Sequence, residues 1–205
     1  MSFAMSDERY PVVEIFHTLQ GEGVQTGRAA VFVRLAGCGN GCPWCDTAGA
    51  QDPAAGVPVS SREIAGRVAA FGARTVIVTG GEPLLHNLDS LTRTLHDAGV
   101  EVMLETSGTY PLSGEFDWIC LSPKRFAPPV ESIFAAADEL KVVVSDERDL
   151  EYAEECAAKV SGKCRLCLQP EWNGLRETVP VVVEYVKGNP GWRLSLQTHK
   201  FINIP

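Results

Sequence analysis

The sequence predicts an α/β fold, a partial (open) TIM-type barrel of mostly parallel strands with helices on the outside. Two patterns and a length carry that expectation. Apolar, β-branched runs recur along the chain, and helical patterns lie between several of them. Strands that alternate with helices build parallel βα units, with the sheet covered on its outer face and the site at the strands' carboxyl ends. A closed barrel of eight such units typically takes ~250 residues; this chain has 205, short for a closed barrel, which favours a partial one.

The strands are expected at Val12–Phe16, Ala30–Leu35, Thr75–Thr79, Glu101–Glu105, Trp118–Leu121, Leu140–Val144, Arg165–Leu168 and Arg193–Leu196. A first helix starts at the capping-box pair Ser60 and Glu63, continues through Ile64, Val68 and Phe71 at helical spacing, and stops at Gly72. A second carries Leu88, Leu91 and Leu95 before Gly99, and a third, rich in Glu and Ala, carries Leu150, Ala153 and Ala157. The run Val179–Val186 has the β-branched content of a strand, but its place before a Gly-Asn-Pro-Gly turn predicts a helix. No repeat, low-complexity tract or linker divides the chain, so residues 1–205 are read as one domain. Met1–Arg9 carries acids and no apolar core, which fits a frayed tail and neither a secretory signal nor a transit peptide.

Charge and cysteine usage narrow the function classes. The formal net charge is −8 and no Lys/Arg run is present, which argues against a nucleic-acid partner and for small-molecule substrates. An anionic substrate stays possible, because local Arg and Lys groups can supply its site. No apolar run approaches the ~20 residues of a membrane span. Seven cysteines, an odd number without an export signal, read as reduced thiols in the cytoplasm.

The chemistry is concentrated in Cys38-Gly-Asn-Gly-Cys42-Pro-Trp-Cys45. Three thiolates on one short loop, with no fourth nearby, suit a [4Fe-4S] cluster with one iron left open for another molecule. The glycines at 37, 39 and 41 allow the tight turns that converge three sulfurs. Thr79-Gly80-Gly81-Glu82-Pro83 follows the apolar run Thr75–Val78; paired glycines at a strand end permit close backbone approach, and Glu82 can accept from an ammonium group. Cys164 and Cys167 form a C-x2-C, but strand alternation points them to opposite faces, so they and the isolated Cys120 and Cys156 read as packing residues rather than ligands of a second cluster.

The C-x3-C-x2-C loop with an aromatic before its last cysteine, together with Gly-Gly-Glu-Pro, closely resembles the radical S-adenosylmethionine (SAM) superfamily. Further segments extend the resemblance over Val12–Pro205: Thr18–Gly23, Arg34, Cys45-Asp46-Thr47, Glu105-Thr106-Ser107-Gly108, Ser122-Pro123-Lys124, Gln169-Pro170 and Gln197–Pro205. Together they resemble the 7-carboxy-7-deazaguanine synthase family of queuosine and deazapurine biosynthesis. That resemblance implies conversion of 6-carboxy-5,6,7,8-tetrahydropterin to 7-carboxy-7-deazaguanine with loss of ammonia, a ring contraction without net redox change that begins with hydrogen abstraction from the pterin C6. SAM is then used catalytically, the enzyme is a homodimer, and a flavodoxin or ferredoxin is the kind of protein that would supply the electron.

Residue roles follow from the same resemblance. Cys38, Cys42 and Cys45 would hold the cluster. Trp44, Cys45, Asp46, Gly81, Glu82, Ser122, Pro123, Lys124, Gln169, Pro170, Glu171 and Trp172 would meet SAM, with Trp44 near the adenine or shielding the cluster. Thr47 is implied as a Mg2+ ligand, against a plain turn role. Leu19, Gln20, Gly21, Arg34, Thr79, His199 and the α-carboxylate of Pro205 would meet the substrate. Arg34 would pair with the substrate carboxylate, and the terminal carboxylate would accept from the pterin's 2-amino and N3–H groups. The chain departs from the family in Ser107, where Asn is frequent, and in Glu171-Trp172, where the family varies. Two rivals share the cysteine loop: a glycyl-radical activase, which would need a protein-docking surface, and a non-enzymatic zinc module, which would need a fourth ligand.

Overall fold

The computed structural model describes residues 8–205, so Met1–Asp7 of the expected tail lie outside the described residues. Nine strands form one open sheet: β1 (Arg9–Leu19), β2 (Ala29–Leu35), β3 (Val57–Ser60), β4 (Thr75–Gly80), β5 (Glu101–Thr106), β6 (Trp118–Leu121), β7 (Glu139–Val144), β8 (Arg165–Pro170) and β9 (Trp192–Leu194). Their spatial order is β3-β1-β2-β4-β5-β6-β7-β8-β9. From β2 to β9 every neighbour is parallel. The helices are α1 (Ser61–Ala70), α2 (Asp89–Asp97), α3 (Glu147–Ala157), α4 (Leu175–Gly188) and α5 (Thr198–Ile202).

The parallel body is the open barrel that the strand–helix order predicts. Along its strands the residues alternate with period two. Val31, Val33, Val76, Val78, Val102, Leu104, Leu140 and Val142 face the helices and form one core with Ile64, Leu91, Leu95 and Leu150. The opposite face is the barrel interior, where Arg34, Thr79, Glu105, Lys141 and Gln169 line a cavity. A helix-side face of Val and Leu and an interior face of mixed polarity are what a sheet needs when one side must exclude water and the other must hold a ligand. α1 begins where expected, with the Ser60 hydroxyl accepting from the Glu63 N–H at 3.3 Å. The Val179–Val186 run is helical within α4, despite Pro180, and buries Val182.

Four details differ from the expectation. The sheet opens with an antiparallel trio, because β1 pairs antiparallel with both β2 and β3. β3 has the composition of an edge, with Pro58 and only four residues, which conceals it from pattern reading. Arg9 belongs to β1 and not to a tail, pairing with Ser60. β9 ends at Leu194, and the chain then leaves the sheet for α5, five residues long, too short to show a helical period.

Candidate active site

The strands' carboxyl ends surround a cavity of about 370 Å3, within the usual range for a small-molecule site. β2 delivers Leu35 to the cysteine loop. Backbone bonds then fix that loop: the Gly37 N–H donates to the Ala50 carbonyl at 2.8 Å, Cys38 N–H to Gln51 at 3.0 Å, and Cys45 N–H to Cys42 at 3.3 Å. Gly37 (φ 101°) and Gly41 (φ 65°) adopt left-handed conformations that side chains resist, whereas Gly39 does not. The sulfur-bearing residues Cys38, Cys42 and Cys45 all line the cavity, and none is in a disulfide. Burial pushes the Cys38 and Cys42 thiols above the usual range; at Cys42 the Lys124 ammonium pulls the other way. Among the described residues no group of three His, Cys, Asp or Glu side chains is placed to hold one metal ion. Three thiols spread around a cavity wall instead fit a cluster in which each cysteine binds a different iron.

The paired glycines at the end of β4 serve the loop's packing. A Cβ at Gly81 would run into the Gly37 carbonyl oxygen and lie 2.7 Å from the Cys38 Cβ; one at Gly80 would run into the Leu35 carbonyl oxygen. Glu82 corrects the expectation drawn from the motif. It is 1% exposed, lies off the cavity lining, and accepts from the Leu84 N–H, the Ser107 N–H and both the Thr106 and Ser107 hydroxyls. Four donors occupy both carboxylate oxygens, so Glu82 ties the end of β5 to the turn after β4 and has nothing left for a ligand ammonium. Pro123 is likewise buried off the lining.

The other expected residues line this one cavity: Leu19, Gln20, Gly21, Arg34, Trp44, Cys45, Asp46, Thr47, Thr79, Gly81, Ser122, Lys124, Gln169, Pro170, Glu171, Trp172, His199 and Pro205. Lys124 bends back so that Nζ donates to the Ser122 carbonyl and hydroxyl at 2.6 and 2.7 Å; burial lowers its pKa. Trp44 meets Phe126 edge-on at 5.4 Å. The Thr47 hydroxyl lies 3.8 Å from the Cys45 sulfur. Arg34 donates from Nε to Glu14 at 2.6 Å and its guanidinium sits 5.7 Å from the centroid of Phe16.

α5 closes the cavity from the far end of the sequence. The Thr198 N–H and hydroxyl both donate to the Gly21 carbonyl, at 2.8 and 2.9 Å. A Cβ on Gly21 would collide with the His199 ring at Nδ1, so this close approach requires glycine. Burial lowers the His199 pKa, favouring the neutral ring. Lys200 donates to Asp46 at 3.0 Å while lying over the Trp172 ring at 5.1 Å, and the Thr18 hydroxyl donates to a Pro205 oxygen at 3.0 Å.

Pattern reading did not single out a buried lysine and its partly buried carboxylate partners in the same wall. Lys141, 3% exposed, donates to Glu22 at 2.6 Å and Glu105 at 2.9 Å. Gln20 donates to the other Glu105 oxygen at 2.8 Å, and Gln197 donates to Glu22 at 2.7 Å and Asp46 at 2.8 Å. Burial alone would raise the Glu22 pKa, but the Lys141 cation and its hydrogen bonds bring it down to about 2. Burial also works against the Lys141 charge, and the surrounding Cys120, Glu105, Glu22 and Glu139 outweigh it, leaving the ammonium well above its usual range. A signal was present: in Glu139-Leu-Lys-Val-Val-Val144 the charged positions alternate with apolar ones, placing a lysine on the inner face of a central strand.

Comparison with known proteins adds independent findings. Residues 33–159 match the radical SAM superfamily. The chain is 46% identical over 198 residues to a 7-carboxy-7-deazaguanine synthase of Flavobacterium psychrophilum, covering 97% of this chain and 94% of that one. It is 42% identical to the protein of that name from Synechocystis, covering 95% and 93%. Its fold superposes on the crystal structure of QueE from Escherichia coli with a TM-score of 0.78 at 32% identity, over 93% of this chain and 95% of the other.

Proposed function

This chain belongs to the radical SAM superfamily and, within it, to the 7-carboxy-7-deazaguanine synthase family, and from that premise we propose how it converts 6-carboxy-5,6,7,8-tetrahydropterin to 7-carboxy-7-deazaguanine and ammonia. The observation that carries the reading is a single cavity lined both by the three thiols of the cysteine loop and by a hydrogen-bonding wall. When bound, the cluster and SAM supply a 5'-deoxyadenosyl radical able to take hydrogen from the substrate C6.

The protein's own task is placement. Cys38, Cys42 and Cys45 hold the cluster; Trp44, Asp46, Gly81, Ser122, Lys124, Gln169, Pro170, Glu171 and Trp172 form the SAM side. Leu19, Gln20, Gly21, Thr79 and His199 hold the pterin ring, and the Arg34 terminal nitrogens are the donors for its carboxylate. The Pro205 carboxylate accepts from the ring's 2-amino and N3–H groups. Holding the reacting atoms close and away from water converts a bimolecular encounter into an intramolecular one. The Thr47 hydroxyl would be the protein's ligand for a Mg2+ ion, an oxygen donor that suits a hard cation. A homodimer in the cytoplasm, reduced by a flavodoxin- or ferredoxin-type donor, completes the proposal; no helix of the described residues is long and apolar enough to cross a membrane.

The test is anaerobic turnover with the carboxytetrahydropterin, SAM and a reductant. Formation of the deazaguanine carboxylate and one ammonia, with SAM regenerated, is the expected result. SAM cleavage without that product would overturn this reaction and leave only the family membership standing.

A further inference from the structure

Resting on the reading of the cavity as a pterin site, we propose that Lys141 is the positioning residue of the substrate wall: it bridges Glu22 and Glu105 and, through these carboxylates, aims the Gln20 and Gln197 side chains. The geometry is a chain with the lysine at its centre. Nζ reaches one oxygen of each carboxylate, at 2.6 and 2.9 Å. The other Glu105 oxygen takes the Gln20 amide, and the other Glu22 oxygen takes the Gln197 amide. Gln20 is locked from its second end as well, since its carbonyl oxygen accepts from the Glu22 N–H at 3.1 Å. All five residues line the cavity, and they come from the loop after β1, from β5, from β7 and from the segment before α5.

A lysine buried in a barrel interior costs desolvation that its ion pairs return only with good geometry. An apolar side chain would fill the same space without that cost, so packing does not account for a charge here. Removing the ammonium would leave two carboxylates facing each other across a buried gap, and they would separate or share a proton. Either change moves the carboxylate oxygens to which the Gln20 and Gln197 amides donate. A tetrahydropterin presents N–H donors along much of its perimeter, and a wall with two fixed carboxylates offers the acceptors that match them. Lys141 therefore acts on the substrate through its neighbours.

The experiment compares parent, Lys141→Met and Lys141→Met/Glu22→Gln as reconstituted holoenzymes. It measures cluster absorbance, SAM binding, and the kcat and pterin KM of turnover. Lys141→Met should raise the pterin KM on the order of tenfold, from losing hydrogen bonds to charged groups, while kcat at saturation, cluster content and SAM binding stay within about threefold, the spread expected for a lost local contact. In the double variant the amide introduced at position 22 can donate to Glu105, so its KM should fall between the two. A parental KM in Lys141→Met, or parallel losses of kcat, cluster and SAM binding, would overturn the proposal, the latter because a purely structural role predicts it. If Lys141→Met does not fold, the double variant decides alone: a raised KM with parental SAM binding supports the proposal, and a parental KM overturns it. A parent enzyme that fails to convert the pterin would overturn the functional reading itself, a result distinct from variants that merely match an active parent.

Discussion

The two ends of the cavity are held rigid by different means. At the cysteine end, the loop is fixed by backbone: glycines in left-handed conformations, main-chain bonds to Ala50 and Gln51, and strand-end glycines that leave no room for a Cβ. At the substrate end, buried side-chain charges set the shape, with Lys141, Glu22 and Glu105 cross-linking segments distant in sequence. The difference suits the ligands. A cluster is held by three covalent bonds and needs only sulfurs delivered to a small volume, which a short loop does with local geometry. A heterocycle held by hydrogen bonds needs donors and acceptors aimed from several directions, which only the assembled barrel provides.

That comparison can be broken first at the cysteine end. Replacing Cys38, Cys42 or Cys45 with alanine should abolish turnover and lower iron and sulfide content, because Cys120, Cys156, Cys164 and Cys167 are all buried and none of them lines the cavity. Near-parental turnover in any of the three would undo the ligand assignment. At the substrate end, extending the chain beyond Pro205 should raise the pterin KM on the order of tenfold, as expected for losing a charged acceptor, with cluster content and SAM binding unchanged. An unchanged KM would remove the terminal carboxylate from the site. Between the two ends, Thr47→Ala should blunt activation by Mg2+ more than SAM binding; identical magnesium titrations of variant and parent would exclude the hydroxyl as ligand. The smallest effect is expected for Thr18→Ala. Its hydroxyl steadies Pro205, so the KM should rise severalfold, the value of one hydrogen bond, and a rise matching that of the extended chain would mean that Thr18 does more than steady it.

The same contrast explains what was legible in the sequence. The cysteine end is written in consecutive residues, so the loop could be recognised from spacing alone; most strands and three helices followed from periodicity, and a fourth helix from its place before a turn. Val57–Ser60 escaped because an edge strand with Pro58 has no alternation to detect. The role of Glu82 was misread because a motif names a residue without showing which donors saturate it, and here Thr106 and Ser107, 24 and 25 positions away, do so. Lys141 went unremarked because its meaning depends on Glu22, 119 positions earlier, and only the folded sheet brings the two together.

The docking of α5 on Gly21, across a separation of 177 positions, also orders events during synthesis. The cysteine loop, the glycines at the end of β4 and Lys124 have all been translated before Gln197 and His199 exist. At ~5–20 residues per second the interval is several seconds. Until then Gly21 and Asp46 lack the partners that Thr198, Gln197 and Lys200 bring to them, so that wall of the cavity is completed last.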